Sequence, residues 1–198
     1  ITYSSPEDDL DTLARTAGKV ADGFELRIVD ETCCDVPKGT VGEISVRGPF
    51  MMKGYFNKPE QTKEVLDDNG WYYSGDLGWL DEKGNVHITG RKSEMFKSGG
   101  ENIYPREIEN VIESVSDVLM AAVIGVPHPV FQEVGHAFVM PYPGRSVEME
   151  EVQEHCRVHL ANFKIPKRIE VRPMLPMLAN GKVNKIALKA ELAARKIG

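Results

Sequence analysis

The chain has 198 residues, 41% of them hydrophobic and 27% charged, with a formal net charge of −6. That is enough apolar material for the cores of one or two domains, and there is no internal repeat or low-complexity segment. No stretch approaches the roughly 20 apolar residues that cross a bilayer, and no charged-then-apolar leader opens the chain. The three cysteines, two of them adjacent at Cys33 and Cys34, fit neither a disulfide framework nor a zinc-ligand spacing, so a reducing, cytoplasmic setting is expected. The start at Ile1 rather than Met predicts a piece of a longer polypeptide, and the oligomeric state stays open.

The charge is unevenly spread. Residues 1–90 hold 9 Lys/Arg against 17 Asp/Glu, and residues 91–198 hold 15 against 13. Between 164 and 196 there are nine basic residues and two acidic ones, Glu170 and Glu191. Such a stretch is either a solvated basic face or a surface for a phosphate-rich ligand.

The first part reads as mostly β. Phe24–Val29 and Glu43–Arg47 alternate apolar and polar residues as half-buried strands do, with Asp35-Val36-Pro37-Lys38-Gly39 as the loop between them. A hairpin follows from Gly78-Trp79-Leu80 to Val86–Thr89, turning through Asp81–Asn85. Beyond Gly90-Arg91-Lys92, where the composition changes and a domain boundary is expected, the types mix. Pro105 opens a helix with Ile108, Val111, Ile112 and Val115 on one face. Val118–Ile124 reads as a central strand and Val134–Met140 as another. A helix over about 148–160, a strand near Ile169–Val171 and a closing helix over 184–195 complete an α+β unit.

Three clusters carry chemistry. In Gly70-Trp71-Tyr72-Tyr73-Ser74-Gly75-Asp76-Leu77-Gly78, a carboxylate flanked by glycines on a loop could approach a ligand closely and accept from two neighbouring hydroxyls. Alone it reads better as a turn aspartate. The second cluster runs Gly90-Arg91-Lys92-Ser93-Glu94 through Lys97-Ser98-Gly99-Gly100-Glu101-Asn102-Ile103-Tyr104-Pro105-Arg106-Glu107-Ile108-Glu109. The third, Asn180-Gly181-Lys182-Val183-Asn184-Lys185, places a lysine just after a glycine turn. Their order and spacing together are far more specific than any one of them.

On these clusters, and on Gly54-Tyr55-Phe56-Asn57-Lys58-Pro59-Glu60-Gln61-Thr62, nearly the whole chain resembles the adenylate-forming superfamily, and within it the AMP-forming acyl-CoA synthetases. The resemblance implies an α+β fold, with residues 1–90 as the β-rich tail of a large N-terminal domain and 91–198 as the small mobile C-terminal domain. It implies a ligase that joins a carboxylic acid, fatty or aryl, to coenzyme A through an acyl-adenylate made from ATP. Asp76 then corresponds to the aspartate on the ribose hydroxyls, Arg91 to the arginine near ribose and phosphate, and Lys182 to the lysine at the reacting carboxylate and α-phosphate. Ser93 stands at the hinge, where Asp or Lys is usual; Glu94 beside it is a candidate substitute for a hinge ion pair. Gly99 and Gly100 correspond to glycines along the pantetheine arm. Phe131 corresponds to an aromatic on the CoA adenine, and Lys164 and Lys167 to contacts with CoA phosphate, although loop packing and surface lysines are competing readings.

Magnesium accompanies ATP in such enzymes, with its ligand expected upstream of this chain, as are the phosphate loop and the acyl pocket. The chain alone is therefore expected to be inactive. His155 and His159, four apart, could share a metal but read better as two helix histidines. Tyr72, Tyr73 and Trp79 read as packing, with no nucleic-acid partner expected. The alternatives are an adenylation domain that loads a carrier protein, against which Glu101–Pro105 argues, and a non-catalytic nucleotide-binding fragment.

Overall fold

The computed structural model describes residues 1–195 and divides into two compact units, Ile1–Ser93 and a second that begins at Glu94. The division lies beyond the expected boundary at Gly90–Arg91, for a physical reason. Arg91 still belongs to a strand of the first unit, the Lys92 N–H donates to the Gly75 carbonyl at 2.8 Å, and its ammonium donates to Glu43 Oε2 at 2.7 Å.

The first unit contains β1 (Thr2–Tyr3), α1 (Leu10–Arg15), β2 (Lys19–Val20), β3 (Glu25–Val29), β4 (Gly42–Arg47), α2 (Pro59–Val65), β5 (Tyr72–Leu80) and β6 (Val86–Arg91). Strands β3 to β6 form an antiparallel sheet in sequence order, and β1 and β2 pair separately. Alternation along the strands turns Ile28, Ile44, Val46 and Val86 into one core. The two helices were not evident from periodicity because each is short and buries nothing. Their local signals are visible all the same: the Asp9 carboxylate accepts from the Thr12 N–H at 2.7 Å at the start of α1, and Pro59 opens α2.

One expectation is corrected here. The glycine-flanked segment around Asp76 is not a loop; it lies inside β5, hydrogen-bonded on both edges to β4 and β6. The glycines serve an irregular strand. Gly75 sits at φ +73, the register shifts between Leu77 and Gly78, and a Cβ on Gly78 would come within 2.4 Å of the His87 carbonyl oxygen. A bulge of this kind re-aims side chains without ending the ladder.

The second unit contains β7 (Phe96–Ser98), β8 (Glu101–Ile103), α3 (Pro105–Glu113), β9 (Val118–His128), β10 (Gln132–Pro141), α4 (Met149–His159), β11 (Arg168–Val171) and α5 (Lys185–Arg195). Strand β10 is central, antiparallel to β9 and parallel to β11, and Gln132 at its start pairs with Ser98 of the β7–β8 hairpin. Both faces of the β9–β10 pair are covered, which is why β9 reads as an unbroken apolar run. Ala121, Val123, Ala137 and Val139 face a core built with Ile108, Ile112, Val152 and Cys156 from α3 and α4. Ala122, Ile124 and Phe138 face the other way, against Leu175 from the segment after β11 and Leu188 from α5. Side chains buried as fully as Ile108, Ile112 and Leu188 contribute roughly 1.5–3 kcal/mol each.

Candidate functional site

Asp76 and Arg91 are cross-strand partners on β5 and β6, and the Arg91 Nε lies 2.8 Å from Asp76 Oδ1. Arg91 also donates through Nη1 to the Ser74 carbonyl at 3.2 Å, so its guanidinium lies along β5, 3.9 Å from where a Cβ on Gly75 would stand. The Asp76 N–H is held by Ser74 Oγ at 3.0 Å, and the Gly75 N–H donates to Glu43 Oε1 at 3.0 Å. The bulge is thus fixed by its own polar bonds. Among the described residues Asp76 Oδ2 has no hydrogen-bond partner, while Oδ1 faces the Arg91 guanidinium. Ser93 is the last residue of this unit.

Lys182 belongs to the second unit. It sits exposed after Gly181, which is at φ +79, on a turn whose base is closed by the Met177–Val183 bridge and by the Leu178 N–H donating to the Lys182 carbonyl at 2.7 Å. Its side chain makes no ion pair among the described residues. Much of the basic 164–196 stretch is neutralised internally. Arg172 and Arg195 bind Glu170 and Glu191, whereas Lys167, Arg168, Lys182 and Lys189 keep no such partner among the described residues.

Gly99 and Gly100 are the two central residues of the β7–β8 hairpin, at φ +61 and +92, a type I′ turn that L side chains resist. The Gly99 N–H donates to the Phe131 carbonyl at 3.0 Å, and a Cβ on Gly99 would touch the Phe131 ring at 3.5 Å. Lys167 Nζ stands 6.0 Å from the centre of that ring. Gly99, Phe131 and Lys167, with Asn162 and Phe163, line a cleft of about 390 Å³. Lys164 does not line it; its ammonium binds both oxygens of Glu107, at 2.6 and 2.8 Å.

His155 and His159 do not share a ligand position. His155 Nε2 is 2.8 Å from Ser114 Oγ, and His159 Nδ1 is 2.9 Å from the His155 carbonyl. Among the described residues no three His, Cys, Asp or Glu side chains converge on one point. Trp79 packs face to face on its cross-strand neighbour His87, 3.9 Å between ring centres. No helix of the described residues is long and apolar enough to cross a membrane.

A polar cluster that motif reading missed lies inside the second unit. Lys185 Nζ binds Glu94 and lies 2.7 Å from Glu109 Oε1, and the same Glu109 oxygen accepts from the Val123 N–H at 2.8 Å. Burial raises the Glu109 carboxyl above its ordinary range, and Lys185 pulls it back in part. The signal was present in α3, where Pro105, Ile108, Glu109 and Ile112 share the buried stripe. A glutamate at a core position of an amphipathic helix demands a cation.

Set beside known proteins, residues 107–182 match the AMP-binding enzyme C-terminal domain and residues 1–56 match the AMP-binding enzyme model. Feruloyl-CoA synthase of Amycolatopsis sp is 43% identical over 171 residues, 86% of this chain and 34% of the relative. The medium-chain fatty-acid–CoA ligase of Escherichia coli is 37% identical over 202 residues, 98% of this chain and 36% of the relative. The o-succinylbenzoate CoA synthetase of Bacillus subtilis, solved with its acyl-adenylate intermediate, superposes with a TM-score of 0.86 at 35% identity, over 93% of this chain and 37% of that one. Fold and matches together place the chain among the AMP-binding, adenylate-forming enzymes by similarity. This chain belongs to the AMP-binding enzyme family, as a partial, C-terminal piece similar to its acyl-CoA ligases. It spans about a third of the length of those curated relatives.

Proposed function

We propose that the full-length protein is an ATP-dependent acid–CoA ligase, acting on a fatty or aryl acid, with this chain supplying its nucleotide-clamping strand pair and its mobile domain. The observation that carries the reading is the Asp76–Arg91 pair on the β5 bulge, one carboxylate oxygen engaged and the other without a hydrogen-bond partner among the described residues, in a chain of this family. In the proposed site Asp76 Oδ2 accepts from a ribose hydroxyl. Arg91, a delocalised cation on the same ladder rung, faces ribose and phosphate oxygens.

Lys182 supports the first half-reaction. As the substrate carboxylate attacks the α-phosphorus and pyrophosphate leaves, negative charge gathers on oxygens that an ammonium on an exposed, tightly closed turn can offset. The second unit pivots after Ser93, and the cleft of Gly99, Phe131 and Lys167 then receives the pantetheine arm and adenine of CoA, whose sulfur attacks the acyl carbon and expels AMP. The two glycines present backbone without side-chain bulk, the Phe131 ring offers a stacking face, and Lys167 suits a phosphate. Lys164, engaged by Glu107, would have to exchange that carboxylate for phosphate to take part. Magnesium would attend ATP through residues outside this chain. Three free cysteines suit a reducing, cytoplasmic compartment.

The test is kinetic. In the full-length enzyme Lys182→Ala is expected to slow pyrophosphate release from acid and ATP by about 10²–10³-fold, while thiolysis of preformed acyl-adenylate stays near the unmodified rate. Equal losses in both half-reactions would remove the assignment. A panel of carboxylic acids scored for CoA-thioester formation tests the ligase reading and its fatty or aryl substrate.

A further inference from the structure

The turn that carries Lys182 leads at once into α5, and the first residue of that helix is Lys185. Its ammonium, with a side chain 18% exposed, lies between two carboxylates that come from distant parts of the unit. Glu109, 4% exposed, stands on α3; through its Oε1 it is also anchored to the Val123 N–H in the middle of β9, and Arg106 reaches its Oε2 at 3.8 Å. Glu94 is the first residue of the second unit, next to Ser93. One cation therefore ties the start of the unit, its sheet-covering helix and the foot of the Lys182 turn.

The contact is constrained from each side. An ammonium and a carboxylate this far from water are costly unless they meet, so the pair cannot relax by separating within the fold. Asn184, adjacent to Lys185, is fixed too. Its N–H donates to the Pro176 carbonyl at 2.7 Å, and its Oδ1 accepts from the Ala187 N–H at 3.0 Å, capping α5. Leu188, one helical turn on, is fully buried against Ala122, Ile124 and Phe138. The turn of Lys182 thus has a rigid foot and an exposed tip.

We propose that Lys185 is a positioning residue for the adenylation step: by clamping Glu94 and Glu109 together it makes the pivot-proximal end of the unit and the Lys182 turn one rigid body, so that rotation after Ser93 carries the Lys182 ammonium to a fixed place. The inference rests on the proposed roles of Lys182 and Ser93. Without the clamp the foot of the turn loses its connection to residue 94, and Lys182 arrives off register. Misplacement of a charge-stabilising group by an ångström lowers the rate steeply, whereas a step that does not use Lys182 is indifferent to it. Arginine at 185 has a fork that can span two carboxylates and should preserve the clamp.

The experiment uses the full-length enzyme with Lys185→Met, Lys185→Arg, Glu94→Gln and, as a reference, Lys182→Ala. Each is assayed for pyrophosphate release and, separately, for thiolysis of preformed acyl-adenylate. Lys185→Met is expected to slow pyrophosphate release by about ten- to a hundredfold, with thiolysis within about twofold and Lys185→Arg restoring most of the loss. Glu94→Gln, which leaves the buried Lys185–Glu109 pair intact, should show the same selective loss in weaker form and guards against a Lys185→Met protein that fails to fold. Unaltered pyrophosphate release in Glu94→Gln, or equal loss of both steps in a folded Lys185→Met protein, overturns the proposal. If Lys182→Ala itself spares pyrophosphate release, the underlying reading falls instead, and the two failures are told apart.

Discussion

Gly99 and Asp76 show how much depends on single backbone positions. At Gly99 the backbone stands at φ +61 in a two-residue hairpin, and the missing Cβ leaves 3.5 Å to the Phe131 ring. Gly99→Ala is expected to cost about 1–2 kcal/mol in left-handed strain, read as a lower urea midpoint, and to raise the KM for CoA while leaving pyrophosphate release near its original rate. A loss confined to pyrophosphate release would place the hairpin in the wrong half-reaction. The glycines, Asp76, Arg91 and Lys182 stood out in the sequence because each sits in a short cluster of distinctive residues; the roles proposed for them come from the resemblance. The setting of Asp76 was not. Glycine on both sides argues for a loop, and only pairing with β4 and β6 at once makes it a bulged strand. The Lys185–Glu109 pair was hidden for a related reason: its members are far apart in sequence, and nothing short of the packed sheet brings them together.

At the scale of elements, periodicity worked where a face is long and buried. Helix α3, the covered strand β9 and helix α4 stand close to where apolar spacing puts them, whereas α1 and α2 are too short for a period to show. Strand β10 carries a less expected feature. His136 is buried, stacked on Phe138 at 4.6 Å between ring centres, with Glu170 Oε1 3.1 Å from its Nε2. Burial outweighs the pull of Glu170, and Arg168 and Arg172 add repulsion, so its pKa falls below the ordinary imidazole value. The unfolded chain therefore takes up a proton at this position before the folded one does. Stability contributed here is present above the ordinary value of about 6.5 and is lost as pH falls through it, down to the lower folded value. The melting temperature should drop more steeply between about pH 7.5 and 5.5 than in His136→Gln, which cannot titrate. Parallel curves for the two proteins would place the proton uptake elsewhere.

For the molecule as a whole, the two units divide the proposed work. The first holds the ribose-facing acid and its guanidinium, Asp76 and Arg91; the second holds Lys182 and the cleft of Gly99, Phe131 and Lys167. The chain spans about a third of the length of those relatives. The proposed function depends above all on Asp76 and Arg91 holding the adenosine of the adenylate in the complete enzyme. The most direct measurement is a crystal structure of the full-length protein with its acyl-AMP bound. An Asp76 oxygen is expected within hydrogen-bond distance, about 2.5–3.0 Å, of a ribose hydroxyl, with the Arg91 guanidinium turned toward the sugar and phosphate. An Asp76 carboxylate directed into solvent, with the adenosine bound elsewhere, would contradict it.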